Sequence, residues 1–202
     1  MNLILSSVYA GNIDYYCAIL SDSKPIIDIH ENFLKQSFRN RCEIAGANGR
    51  LSLTVPVKRK GKLKVKDIRI DNEQSWRKLH WKSIESAYRS SPYFEYFEHE
   101  FYPTYMLKKF DFLIDLNNQI HQSIVQCLQT ELPLKYSTSY IESNDDDIDL
   151  RNAIHPKRKT SKFYKNPSYF QVFQDRMNHL PNLSILDLLF NEGPMLTELL
   201  KR

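Results

Sequence analysis

Cysteine is scarce in this chain. Cys17, Cys42 and Cys127 are odd in number and far apart, with no Cys-x-x-Cys pair. That pattern supports neither a disulfide framework nor a zinc knuckle, and three reduced thiols fit a cytoplasmic protein. No apolar stretch approaches the roughly 20 residues needed to cross a bilayer, so no membrane span is expected. The opening Met-Asn-Leu-Ile-Leu-Ser-Ser has no basic start and its apolar run is broken at Ser6, unlike a signal peptide. There is no GxSxG elbow, P-loop or GxGxxG fingerprint, which leaves nucleotide hydrolysis and dinucleotide redox chemistry without support. Internal repeats are also lacking. His30, His99, His121, His155 and His179 stand singly, none at metal-ligand spacing to His80; no metal and no cofactor is indicated.

What is present suffices for one core. With 42% hydrophobic and 12% aromatic residues, the chain is expected to form a single domain over residues 1–202. Its net charge of +4 suits an anionic small molecule and is too small to imply nucleic acid unless clustered.

Hydrophobic periodicity predicts an α/β fold: a mixed sheet with an antiparallel hairpin, packed by several helices. Leu3 to Leu5 and Ile26 to Ile29 read as buried strands around a helix at Ile13 to Leu20. A third strand starts near Arg39 and ends at the Asn48-Gly49 turn signal. Leu51, Leu53, Val55 and Val57 alternate with polar residues, with Pro56 marking a sheet edge. Across the Lys60-Gly61-Lys62 turn, this run is expected to pair antiparallel with residues 63–70. Leu63 and Val65 have opposite parity to Ile68 and Ile70, so a bulge near Lys66 and Asp67 is expected.

Further on, Asp71 and Gln74 resemble a capping box before a helix whose Trp76, Leu79, His80, Ile84, Ala87 and Tyr88 share a face. Ser91-Pro92 reads as the start of another helix, interrupted at Pro103. Leu113, Leu116, Ile120, Ile124 and Cys127 define a long helix. Residues 142–165, with four aspartates and then a run of lysines and arginine, read as a solvated, mobile charged loop. Ser184 and Asp187 form a second capping pattern, and Gly193-Pro194 stops that helix.

The densest polar run follows the second strand, from Asp28 to Arg41. Arg39 and Arg41 are two residues apart, which on a strand puts both guanidiniums on one face, able to grip a phosphate or carboxylate. Lys35 adds a third cation. Asp28 or Glu31 can accept a proton. The competing reading is a solvated strand face, or arginines bracing Asp28, Glu31 or Glu43 as structural ion pairs. His80, beside Trp76 and Trp81, is either a general base or a helix residue bonded against an aromatic core. Six of the nine residues Lys58–Lys66 are basic, which attracts anions or simply solvates an edge. The stripe Tyr93, Phe94, Tyr96, Phe97 and Phe101 fits core packing better than sugar stacking.

The run Asp28-Ile29-His30-Glu31-Asn32-Phe33-Leu34-Lys35-Gln36-Ser37-Phe38-Arg39-Asn40-Arg41-Cys42, with Asn48-Gly49 and Leu53-Thr54-Val55-Pro56-Val57, closely resembles the WbqC-like signature. His80-Trp81, Ser86-Ala87-Tyr88, Ser91-Pro92-Tyr93-Phe94-Glu95-Tyr96 and the closing stretch from Leu183 to Gly193 resemble it too. Two stretches depart: Ser7-Val8-Tyr9-Ala10-Gly11 replaces a Gln-Pro-Asn-Tyr type opening, and the Ser-Gly-rich stretch before the closing motif is missing. The resemblance implies a cytoplasmic accessory protein of surface-polysaccharide (O-antigen) synthesis or sugar modification, with transfer of glycine or another acyl group to an amino sugar as the suggested activity. On that reading His80 and Glu31 handle protons. Asp28, Lys35, Arg39, Asn40 and Arg41 hold a sugar nucleotide or other anionic small molecule in a concave pocket. The alternative is a noncatalytic module recognising an anionic sugar intermediate or an acidic protein.

Overall fold

A computed structural model describes residues 2–21, 25–58 and 61–201. In chain order the elements are β1 (Leu3–Leu5), α1 (Ile13–Ser21), β2 (Ile26–Ile27), β3 (Arg41–Gly46), β4 (Gly49–Thr54), β5 (Val57–Lys58), β6 (Arg69–Ile70), α2 (Trp76–Tyr88), α3 (Phe94–Tyr102), α4 (Leu113–Leu128), β7 (Lys135–Tyr136), β8 (Ile148–Asp149), α5 (Ile185–Glu192) and α6 (Leu196–Lys201). The fold is α/β, with a parallel sheet and antiparallel pairs packed by helices. Among the described residues no helix is long and apolar enough to cross a membrane.

The parallel sheet has the order β7-β2-β1-β8. Leu3, Ile4 and Leu5 are each at most 1% exposed, because a parallel strand between helices is covered on both faces and tolerates only an unbroken apolar run. The expected second strand is shorter than its apolar run: only Ile26–Ile27 pairs, in register with Ile4 and Leu5.

The hairpin lies one element earlier than periodicity suggests. β3 and β4 pair across a turn at Ala47-Asn48, one residue before the Asn48-Gly49 expected from sequence, with Cys42 opposite Leu53 and Ile44 opposite Leu51. The two residues between the strands favour this closure over a longer loop, and Gly49 supplies a φ of +112°. Of the expected pairing between residues 51–57 and 63–70, only the outer end forms, Val57 with Ile70 and Lys58 with Arg69. Pro56, without an amide donor, sits in the break between β4 and β5. The parity change is real, but a 3-10 turn over Val65–Asp67 produces it rather than a bulge; both Val65 and Ile68 are buried. Arg59 and Lys60, part of the expected turn and of the basic run, lie outside the described residues.

The helices show where local signals were outweighed. Asp71 does bond Gln74, Nε2 donating to Oδ2 at 3.0 Å, yet α2 begins only at Trp76. Its buried face holds Trp76, His80, Trp81, Ile84, Ala87 and Tyr88, while Leu79 is 64% exposed. Ser91 closes the end of α2, donating to the Tyr88 carbonyl, and α3 starts at Phe94. Phe94 and Phe101 enter the core, but Tyr96 is exposed. α4 matches its apolar pattern, with Leu113, Leu116, Ile120, Ile124 and Cys127 buried.

Ser184 caps α5 by accepting from Leu186 N. The Asp187 carboxylate does not complete that cap. Fully buried, it accepts hydrogen bonds from Tyr88 (2.9 Å), Tyr169 (2.6 Å) and Gln171 (2.9 Å). The charged stretch 142–165 is likewise not solvated throughout. β8 lies within it as an edge of the parallel sheet, followed by buried Leu150, Arg151 and Ile154.

Candidate functional site

Parallel strands send their chains out at one edge of the sheet, and in open α/β sheets ligands gather there. Here that edge carries Ser6 and Ser7 after β1, Asp28 after β2, Ser137 after β7 and Arg151 after β8. These groups bind one another: Arg151 Nη1 donates to Asp28 Oδ2 at 2.6 Å, Ser137 donates to Asp28 Oδ1 at 3.0 Å, and Ser6 donates to the Arg151 carbonyl at 3.1 Å. Asp28 is 0% exposed. A buried carboxylate survives only when compensated in this way.

Beside it lies a second pair. Arg39 Nε donates to Glu31 Oε1 at 2.9 Å and Nη2 to Oε2 at 2.5 Å, a bidentate bridge with side chains 2% and 7% exposed. The same Nη2 reaches the Arg151 carbonyl at 3.1 Å, joining the two pairs. Burial pushes the Glu31 carboxyl above its ordinary range, against the pull of Arg39 and Ser6.

The polar run therefore divides. Asp28, Glu31 and Arg39 meet in one network: Arg39 braces Glu31 as the ion-pair reading of the sequence has it, whereas Asp28 is paired with Arg151 rather than with Arg39 or Arg41. Asn40 is spent on the backbone, Nδ2 donating to the Val55 carbonyl at 2.8 Å. Lys35 is exposed and shows no bond to the network. Arg41 opens β3, half-buried; its Nε is buried without a partner, and no ion pair among the described residues includes it. Five surface grooves take no wall from Asp28, Glu31, Lys35, Arg39 or Arg41.

Residues 155–158 add charge at this edge. Burial, and after it the positive charges of Arg158, Arg39, Lys157 and Arg41, hold the His155 imidazole below its ordinary value. The positive charges of four side chains thus act on one half-buried ring. Lys157 Nζ reaches Gln36 Oε1 at 3.2 Å, and Ser161 is clasped by Asp14, its N at 2.7 Å and Oγ at 2.5 Å from the carboxylate. These contacts place part of the charged stretch against Gln36 and against Asp14 on α1.

His80 does not join the cluster by any bond among the described residues. Its Nδ1 lies 2.8 Å from the Tyr9 hydroxyl, which in turn meets Tyr105 OH at 2.9 Å. The ring packs edge-on to Trp76. Burial lowers its pKa to about 4, against a hydrogen bond to the Thr54 backbone. An imidazole so depressed is a weak base at neutral pH. It borders a separate groove with Trp76, Leu79 and Leu53.

Arg151, Ser137, Ser6 and Asn117 were not singled out by sequence reasoning. The available signal was Asp149-Leu150-Arg151 after an apolar residue, obscured by the aspartates before it. Together, sheet edge and paired network define an α/β protein with a preorganised polar centre at the carboxyl ends of its parallel strands. The chain belongs to the WbqC-like protein family, whose profile matches residues 7–168; the closing helices lie beyond that match. It is also similar to the uncharacterized protein Rv1507c of Mycobacterium tuberculosis, 26% identical over an alignment covering 94% of this chain and 93% of that protein. No solved structure matches.

Proposed function

We propose that the chain binds an anionic sugar derivative, such as a sugar nucleotide, at the cationic rim formed by Arg41, Lys157 and Arg158, and takes part in polysaccharide or sugar modification as a transferase-like protein. The observation carrying this reading is Arg41: a half-buried guanidinium with an unpartnered Nε, set among cations around His155. Like charges brought together without a counter-ion favour an anion. Arg39 and Arg151 serve beneath as the scaffold, since their guanidiniums are already committed to Glu31 and to Asp28. The sugar and the acyl transfer rest on the resemblance of the polar run to the family signature.

A specific observation favours the noncatalytic alternative. Both proposed proton carriers are occupied, Glu31 by Arg39 and His80 by Tyr9. Calorimetry with a panel of sugar nucleotides, followed by assays with amino-sugar acceptors and acyl donors, tests both. Arg41→Gln is expected to weaken binding about tenfold or more, the loss of a charge-assisted hydrogen bond, with the fold unchanged. Product formed by the parent and lost in Arg41→Gln supports the transferase. Binding without product under every donor supports the module, and unchanged binding in Arg41→Gln removes the site.

A further inference from the structure

A groove of about 1010 Å³ runs between α4 and residues 130–136 and takes no wall from Arg41, Lys157 or Arg158. α4 lines it with Asn118, Gln122 and Gln126, one helical turn apart, and Gln129 follows at the helix end. The facing wall is apolar, from Leu132 to Leu134, and ends at Tyr136, whose hydroxyl donates to Asn118 Oδ1 at 2.9 Å. His121 fixes that wall: Nε2 lies 3.0 Å from the Leu132 carbonyl and Nδ1 3.1 Å from Tyr16 OH. Among the described residues no lysine or arginine lines the groove, and Glu131 is its one carboxylate.

The groove shares Asn118, His121, Leu134 and Tyr136 with a much smaller cavity of about 10 Å³. That cavity reaches Ser7, after β1, and Asn117. Asn117 is 4% exposed. Its Nδ2 donates to Ser7 Oγ and to the Arg39 carbonyl, both at 3.0 Å, while Oδ1 has no partner among the described residues. A buried acceptor left unmade costs about 1–3 kcal/mol, and a cavity of this size admits one hydroxyl-sized group.

We propose that this groove is a binding site for an uncharged ligand of saccharide size, rich in hydroxyl and amide groups, with Asn117 Oδ1 accepting from a donor at its inner end. Side-chain amides pair each hydroxyl both as donor and as acceptor, and the apolar wall suits the C–H face of a sugar ring. An anion finds no cation here and meets Glu131. The site shares no residue with the cationic rim, so it stands whether or not that rim binds a sugar nucleotide.

The test is an NMR titration of the intact chain with N-acetylglucosamine and its β-1,4 dimer as uncharged probes, and glucose 1-phosphate as the charged one. The uncharged probes are expected to shift the side-chain amides of Gln122, Gln126 and Gln129. Gln122→Ala with Gln126→Ala, both exposed and replaced by a strong helix former, is expected to weaken the dimer about tenfold or more, while Arg41→Gln leaves it unchanged. No shift from either uncharged probe at ~10 mM, weaker than ordinary small-ligand affinities, overturns the proposal. So does equal binding by the double variant, stronger binding of glucose 1-phosphate in the groove, or loss of the uncharged probes in Arg41→Gln.

Discussion

His80 is held neutral by its surroundings, and this makes it a stability element with a definite sign. Its folded pKa is about 4, below the ordinary value near 6.5. Between those values the unfolded chain takes up a proton that the folded chain refuses, so stability is present above about pH 6.5 and is lost as pH falls toward 4. The span corresponds to about 3 kcal/mol. His80→Gln is expected to remove that loss: denaturant unfolding at about pH 7 and about pH 4 should show the parent losing about 3 kcal/mol more than the variant. An equal pH dependence would show that His80 titrates normally. The sequence placed His80 correctly on an aromatic helix face, because helical spacing is local. It did not reveal Tyr9 as the partner, which lies 71 positions away.

At the level of elements, turn chemistry was legible where two residues decide it and illegible where pairing is distant. Asn48-Gly49 read as a turn signal, and the strands do reverse there, through Ala47 and Asn48 with Gly49 opening β4. β7 and β8, two residues each, are too short to carry a period, and β8 follows a run of aspartates that reads as loop. Gly193 read as a helix stop, which its φ of +58° supports. The structure adds a second constraint: a Cβ at this position would lie 2.5 Å from the Tyr93 ring. Gly193→Ala is therefore expected to cost more than the roughly 1 kcal/mol typical of alanine in an unsuitable backbone conformation. Pairing it with Tyr93→Leu in a double-mutant cycle is expected to show coupling, the second change relieving part of the first. Strict additivity would mean that the ring simply moves aside.

For the whole molecule, the networks at the sheet edge tie residues 6, 28, 39, 117, 137 and 151 together. We expect the chain to unfold as one cooperative unit, a proposal consistent with the single core read from composition. Cys17, Cys42 and Cys127 are all buried, and burial pushes the Cys127 thiol up to about 12. Thiol labelling and the fluorescence of Trp76 and Trp81 should therefore follow the same denaturant transition. Any thiol reacting well before the fluorescence changes would identify a part that opens on its own.

β1 is one of the two inner strands of the parallel sheet, yet its neighbour β8 is supplied by Ile148 and Asp149. During synthesis Leu3, Ile4 and Leu5 are made well before the strand that covers one of their edges. Until β8 follows, that apolar run has an open edge, the condition under which strands pair wrongly or are bound by chaperones.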